Sequence, residues 1–402
     1  MRILIATSQR TMVGGVETYL RDLIPALAAR GHNVGLLFEH GAAGGDLIDR
    51  GSSGPAWCAA DMSHGDLLLE LAGWQPDVVY LQGLADPALE ESLIDAFPVA
   101  MFVHSYHGAC ISGRKRFASP ASEPCSRAFG PACLALYYPR RCGGLNPATM
   151  IRQYRLQRHR LRLLARCPSV LVASDHMRAE YVRNGVPADR IRLLPLFPAG
   201  VTPDIDPPAE RGMSGRLLFV GRLTEVKGAA DLVAAAAKAG RILDRQLQIT
   251  IAGDGPERAR IEHFAHALSM PIDFRGWVGP SDRTALMRAA DLLVVPSLWP
   301  EPFGLVGLEA ACVGLPAVAY EVGGIRDWLR PGESGELAPG NPPAVDGLAA
   351  AIVRALADPK HRACLAHGAW LSAQEFTLER HCGLLEGHLE SVNRAALVES
   401  RI

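Results

Sequence analysis

Short apolar runs at residues 2–7, 34–38, 78–81, 99–103 and 170–173 alternate with stretches whose apolar residues recur at helical spacing. Runs of this length are far below a membrane span, and they lack the polar alternation of a strand with one wet face. They read as strands buried on both sides, and the helical segments between them supply the crossovers of a parallel sheet. A second series follows at 216–220, 248–252, 272–275, 291–295 and 316–320. Between the two series, residues 195–208 carry five prolines, which suits an extended connection between domains. The chain therefore reads as α/β, with two Rossmann-like domains whose parallel sheets face a cleft. The expected bounds are a first domain over 1–197, a linker over 198–210, a second domain over 211–377 and a terminal segment over 378–402. A helix over about 378–395 is expected to pack back on the first domain.

Composition excludes several function classes. Hydrophobic residues make up 49% of the 402, enough for two cores, and the formal net charge of −1 gives no general reason to bind nucleic acid. No apolar run is long enough to span a membrane. The start, MRILIATS, enters a strand directly, without the apolar core and cleavage site of a signal peptide. A cytoplasmic protein is the expectation, its 9 cysteines serving as thiols or metal ligands rather than disulfides.

Chemistry concentrates where strands end. The run at 291–297 leads into EPFGLVGLE, residues 301–309. This reads as a strand, a loop carrying Glu301, then a helix starting near Gly304 with Glu309 in its first turns. The N–H groups around Phe303, Gly304 and Leu305 then open toward an anion. Loop carboxylate, free donors and helix carboxylate together suit a phosphorylated, hydroxyl-rich ligand. GRLTEVKG, 221–228, follows the first strand of the second series and places Arg222 and Lys227 on a strand-to-helix loop. Two cations there fit a diphosphate, the alternative being a solvated surface loop. Gly14 and Gly15 follow the first strand, where glycine lets backbone approach a phosphate closely, or simply forms a loop. His104 ends the 99–103 run among Ser105, Tyr106 and His107, a polar spot at a strand's carboxyl end. GDGP at 253–256 reads as a sharp turn, and RGWV at 275–278 as either a base contact near Val278 or a core tryptophan.

In this order, GGVE, a strand ending in His, SDHMRAEYVRNGVPADRI (174–191), GRLTEVKG, AGDGP, RGWV, the EPFGLVGLE block and VGGIRD (322–327) resemble glycosyltransferase family 4. Those are retaining enzymes of the GT-B fold. The resemblance is closest over about 216–340 and thinnest over 105–150. It implies that Arg222 and Lys227 hold the diphosphate of a UDP- or GDP-type sugar donor and ease its departure without a metal or other cofactor. It implies that Glu301 binds donor-sugar hydroxyls, that Phe303, Gly304 and Leu305 offer N–H groups, and that Glu309 grips the ribose. Gly15 would touch the diphosphate from the first domain, His104 would lie beside the sugar, and backbone at Val278 would meet the base. The expected reaction moves a hexosyl unit to a sugar or lipid-linked acceptor in polysaccharide or glycoconjugate biosynthesis. The alternatives are a nucleotide-sugar epimerase or hydrolase of the same architecture, and a non-catalytic sugar-binding protein.

Two features lie outside that resemblance. Cys110, Cys125, Cys133 and Cys142 crowd an irregular insertion at about 105–147 and are candidate zinc ligands, although no CxxC pair is present. Residues 151–166, IRQYRLQRHRLRLLAR, read as a basic amphipathic helix, with Arg152, Arg155, His159, Arg162 and Arg166 at steps of three and four. Such a face is either solvated or docks on anionic lipid headgroups, which would bring the protein to the inner face of a membrane.

Overall fold

The computed structural model describes residues 1–12, 14–41, 48, 51–209 and 212–399. Residue 210 of the expected linker, residue 211 of the expected second domain and residues 400–402 of the terminal segment lie outside the described residues.

The first domain is built on strands β1 (Arg2–Gln9), β2 (Asn33–His40), β3 (Ala56–Cys58), β4 (Val78–Leu81) and β5 (Val99–Phe102). A small hairpin, β6 (Arg116–Phe117) and β7 (Glu123–Pro124), precedes β8 (Ser169–Val172) and β9 (Ile191–Leu193). The main sheet is parallel throughout, in the order β3-β2-β1-β4-β5-β8-β9. Its helices are α1 (Gly15–Ala29), α2 (His64–Trp74), α3 (Pro87–Ala96), α4 (Ala132–Leu136), α5 (Pro147–Arg166) and α6 (Asp175–Arg183). The second domain carries β10 (Arg216–Val220), β11 (Gln248–Ala252), β12 (Ile272–Gly276), β13 (Leu292–Val295), β14 (Ala317–Tyr320) and β15 (Gly335–Ala338). These form a parallel sheet in the order β12-β11-β10-β13-β14-β15. Around it lie α7 (Ala229–Ile242), α8 (Arg258–Ala267), α9 (Pro280–Ala289), α10 (Leu305–Ala311), α11 (Val345–Ala357) and α12 (Pro359–Ala373). The last helix, α13 (Leu378–Glu399), crosses to the first domain and packs on α1, β4 and β5.

The central strands are buried on both faces: Ile3, Leu4, Ile5, Val78, Val79, Leu217, Leu218, Leu292 and Leu293 are fully enclosed. In each sheet the strand order reverses beside the first strand, between β1 and β4 and between β10 and β13. Chains leaving the carboxyl ends of the strands on either side of that reversal depart to opposite faces and leave a crevice, the usual ligand site of an open α/β sheet.

The insertion carries little regular structure, the hairpin of β6 and β7 and the short α4, yet it is packed. Lys115, buried, pairs with buried Glu180 on α6 and donates to the carbonyls of Ala109 (3.3 Å) and Arg127. Ile111, Tyr137 and Cys142 form a small apolar core of their own, flanked by Phe117, Phe129, Cys133, Leu134, Met150 and Tyr154. A buried ion pair with satisfying carbonyls fixes the insertion on the first domain.

Candidate active site

A cavity of about 470 Å³ opens between the two domains at their crevices. From the first domain it is lined by Gly15, Tyr19 and His104, and from the second by Arg222, Lys227, Arg283, Glu301, Phe303, Gly304, Leu305 and Glu309. The sites drawn from the sequence therefore meet, apart from Val278 and the cysteines.

The loop after β10 reaches the loop after β13 because Gly228 permits it. Gly228 has φ +68, and a Cβ there would stand 1.9 Å from the carbonyl oxygen of Pro296. Leu298 N–H donates to Val226 C=O at 2.8 Å and stitches the loops together. Lys227 Nζ consequently reaches Glu301 Oε1 at 2.7 Å. Ser297 Oγ donates to the same oxygen at 2.5 Å and Trp299 Nε1 at 2.9 Å. With Oε1 accepting from three donors, Oε2 has no hydrogen bond among the described residues and is the acceptor left for a ligand hydroxyl. Arg222 is exposed and makes no ion pair among the described residues, so its fork is available for an anion.

Gly304 precedes α10 with φ +95, and Phe303 C=O accepts from Trp328 Nε1 at 2.7 Å. This fixes the strand-to-helix turn, so the start of α10 opens on the cavity. Glu309 follows within α10, 7% exposed. Burial raises its carboxyl to about 7, against the opposing pull of Arg283, whose Nε lies 3.3 Å from Oε2. Arg283 comes from α9, and nothing near Glu309 in the sequence announces it.

On the first-domain side, Glu17 Oε2 accepts from Gly14 N–H at 2.8 Å and settles the start of α1. Nothing lies within 4 Å of a Cβ placed on Gly15. Packing does not demand a glycine there, and the empty space faces the cavity. His104 lies 2.8 Å by Nε2 from Gln82 Oε1. Burial, aided by His107 and His381, pushes His104 down to about 3, so it is neutral in the ordinary pH range. Ser297, Trp299, Tyr19 and Gln82 were not singled out from the sequence. Ser297 and Trp299 sit in the run leading to Glu301, where their donor groups were the available signal.

The remaining candidates lie outside this cavity. Val278 does not line the cavity; it is half-buried against the second-domain core, while its neighbour Trp277 is 83% exposed and is no core residue. Cys110, Cys125, Cys133 and Cys142 are free thiols, and among the described residues no three His, Cys, Asp or Glu side chains group closely enough to hold a metal. Burial raises Cys142 to about 12, and the neighbouring Cys110, Cys125 and Cys133 add to the rise. Finally, the basic face of α5 is divided. Arg166 pairs with Glu91 (2.9 Å) and Asp95 on α3, and His159 lies 3.6 Å from Glu91. Arg152, Arg155 and Arg162 stay exposed without an ion pair among the described residues, near exposed Ile151 and, before the helix, Leu145 and Tyr138.

Comparison with known proteins agrees with this geometry. Residues 13–197 match the profile described as Glycosyltransferase Family 4, and residues 203–369 that described as Glycosyl transferases group 1. The chain belongs to glycosyltransferase family 4. Among the relatives of this family member is an alpha-D-kanosaminyltransferase of Streptomyces kanamyceticus, 31% identical over 53% of this chain and 56% of the relative. A D-inositol 3-phosphate glycosyltransferase of Salinispora arenicola is 36% identical over 54% of this chain and 51% of the relative. The chain thus spans about half the length of these two relatives. A glycogen synthase of Mycobacterium tuberculosis is 28% identical over 89% of this chain and 87% of its own length. Among solved structures, sucrose-phosphate synthase from Thermosynechococcus elongatus superposes with a TM-score of 0.71 at 23% identity, covering 98% and 99% of the two chains. HepE of Anabaena with UDP and glucose superposes at 0.67 and 18% identity, covering 97% and 100%. Both likenesses place this family 4 member in the GT-B fold.

Proposed function

We propose that this protein transfers a hexosyl unit, with retention and without a metal, from a UDP- or GDP-sugar to a sugar or lipid-linked acceptor. The observation that carries the reading is the Glu301 carboxylate: one oxygen fixed by Lys227, Ser297 and Trp299, the other free in a cavity shared with Arg222, Glu309, Gly15 and His104. Arg222 and Lys227 supply fixed positive charge where a diphosphate gains charge as the bond to the sugar breaks. Glu301 Oε2 takes a sugar hydroxyl, and Glu309 the ribose hydroxyls. With Oε1 held by three donors and Oε2 free, this carboxylate is placed to position the sugar. Neutral His104 contributes a hydrogen bond rather than a proton. The complexes of HepE with UDP and with UDP-glucose support a nucleotide-sugar donor by analogy.

Among the described residues no helix is long and apolar enough to cross a membrane. We propose peripheral contact instead, through Arg152 and Arg155 at the start of α5 with Leu145 and Ile151 beside them. Arginines next to exposed apolar side chains fit the boundary between anionic headgroups and acyl chains.

A panel of UDP- and GDP-sugars, screened by thermal shift and then by release of nucleotide diphosphate with and without candidate acceptors, tests the function. Acceptor-dependent release, lost about a hundredfold or more in Lys227→Ala and Glu301→Ala, is expected. Release without any acceptor would indicate a hydrolase, and binding without turnover a sugar-binding protein. Unchanged turnover in both variants would overturn the site.

A further inference from the structure

The loop that carries Glu301 is held by the other domain. Three consecutive carbonyls, of Pro300, Glu301 and Pro302, each accept a hydrogen bond. Tyr106 O–H donates to Pro300 C=O at 2.8 Å, Gly324 N–H to Glu301 C=O at 2.7 Å, and Ser174 O–H to Pro302 C=O at 2.6 Å. Gly324 belongs to the second domain, whereas Tyr106 and Ser174 belong to the first. Tyr106 is fully buried, and its ring stands edge-on to Trp299 with centroids 6.1 Å apart. Trp299 in turn donates to Glu301 Oε1. One buried tyrosine therefore supports both the backbone before Glu301 and a side chain that aims its carboxylate.

The clamp is itself braced. His176 Nε2 lies 2.9 Å from Tyr106 Oη. Tyr106 has one proton and the Pro300 carbonyl only accepts, so His176 donates to Tyr106 and locks the hydroxyl toward the loop. Ser174 caps α6, accepting from Met177 N–H at 3.2 Å, which turns its own proton toward Pro302. Asp327 of the second domain accepts from Asp175 N–H at 2.8 Å. A Cβ on Gly324 would stand 2.7 Å from Ser174 Cβ, so the contact is as close as backbone allows.

We propose that Tyr106 and Ser174 are positioning residues, by which the first domain sets the sugar-binding carboxylate of the second. Glu301 is then in its working position only when the domains are docked, so donor-sugar binding is coupled to the arrangement of the acceptor side. The inference rests on the reading of Glu301 as the sugar-binding group.

Tyr106→Phe, Ser174→Ala and the conservative Ser174→Thr are compared with Glu301→Gln, using the donor found in the panel. Each clamp deletion is expected to lower kcat about tenfold, and the pair by more. Affinity for the nucleotide diphosphate alone should stay unchanged, because that ligand lacks the sugar. Ser174→Thr, which keeps the hydroxyl, should recover most of the rate. Equal losses of nucleotide diphosphate affinity and of turnover would show a general structural role and overturn the proposal. Wild-type kcat in Tyr106→Phe and Ser174→Ala, with Glu301→Gln inactive, would refute the clamp while leaving the site intact. An active Glu301→Gln would instead refute the underlying reading.

Discussion

Glu309 has opposite effects on folding and on binding, and the two can be measured separately. Its carboxyl is raised from an ordinary 4.5 to about 7 by burial, with Arg283 opposing. Between those two values the folded protein holds a proton that the unfolded chain has released. The stability this group contributes is therefore complete below pH 4.5 and is lost as pH rises through 7. The loss by pH 8 is roughly 3 kcal/mol if the shift is taken whole. Glu309→Gln keeps the shape and cannot ionise, while Arg283, whose side chain is 22% exposed, keeps access to water. The variant should be more stable than wild type at pH 8 by about 1–3 kcal/mol, and the two should converge near pH 5. Denaturant unfolding at a series of pH values measures this. Binding runs the other way, because paired hydroxyls donate better to carboxylate than to carboxylic acid. With a value near 7, the ionised fraction rises about tenfold from pH 6 to pH 8, so nucleotide diphosphate affinity should rise by about that factor relative to Glu309→Gln. The ligand's own phosphate ionisation is common to both proteins and cancels. Parallel pH profiles of affinity, or a variant no more stable at pH 8, would refute the argument that Glu309 is a buried charge kept for ligand hydroxyls.

Two further predictions concern Gly228 and the start of α5. Gly228→Ala would place a Cβ 1.9 Å from the Pro296 carbonyl at φ +68; a loss of roughly 3 kcal/mol or more in denaturant unfolding is expected, together with loss of the Lys227–Glu301 contact and of turnover. Arg152→Glu with Arg155→Glu should abolish cosedimentation with phosphatidylglycerol vesicles while leaving soluble turnover unchanged, and wild-type binding should weaken with added salt; equal binding to neutral phosphatidylcholine vesicles would contradict the proposed surface.

The interior strands were legible because a strand buried on both faces must be apolar along its length, as 78–81 and 292–295 are. The short strands β3, β9 and β15 were not, since AWC, IRL and GELA have no period long enough to read. The site divides in the same way. Arg222, Lys227 and Glu301 stand on loops directly after strands, so local pattern and topology identify them. Arg283 reaches Glu309 from a separate helix, and only tertiary packing brings them together. The number of cysteines in the insertion is visible in sequence, whereas the apolar cluster that takes up Cys133 and Cys142 is not.

The contact between domains is harder still to read, for a physical reason. Tyr106 and Ser174 act on carbonyl oxygens, which every residue possesses, so the receiving side leaves no trace in the choice of side chains. The prolines at 300 and 302 supply the nearest approach to one. Proline has no N–H and a restricted φ, so a Pro-Glu-Pro segment can accept hydrogen bonds from outside at its flanking carbonyls but cannot donate from the flanking nitrogens. A carboxylate set between two such residues has a stiff backbone whose position must be supplied by donors elsewhere, and here two of them come from the opposite domain. Replacing either proline by alanine should therefore loosen Glu301 without touching its own hydrogen bonds, which separates backbone stiffness from side-chain contact as the source of its placement.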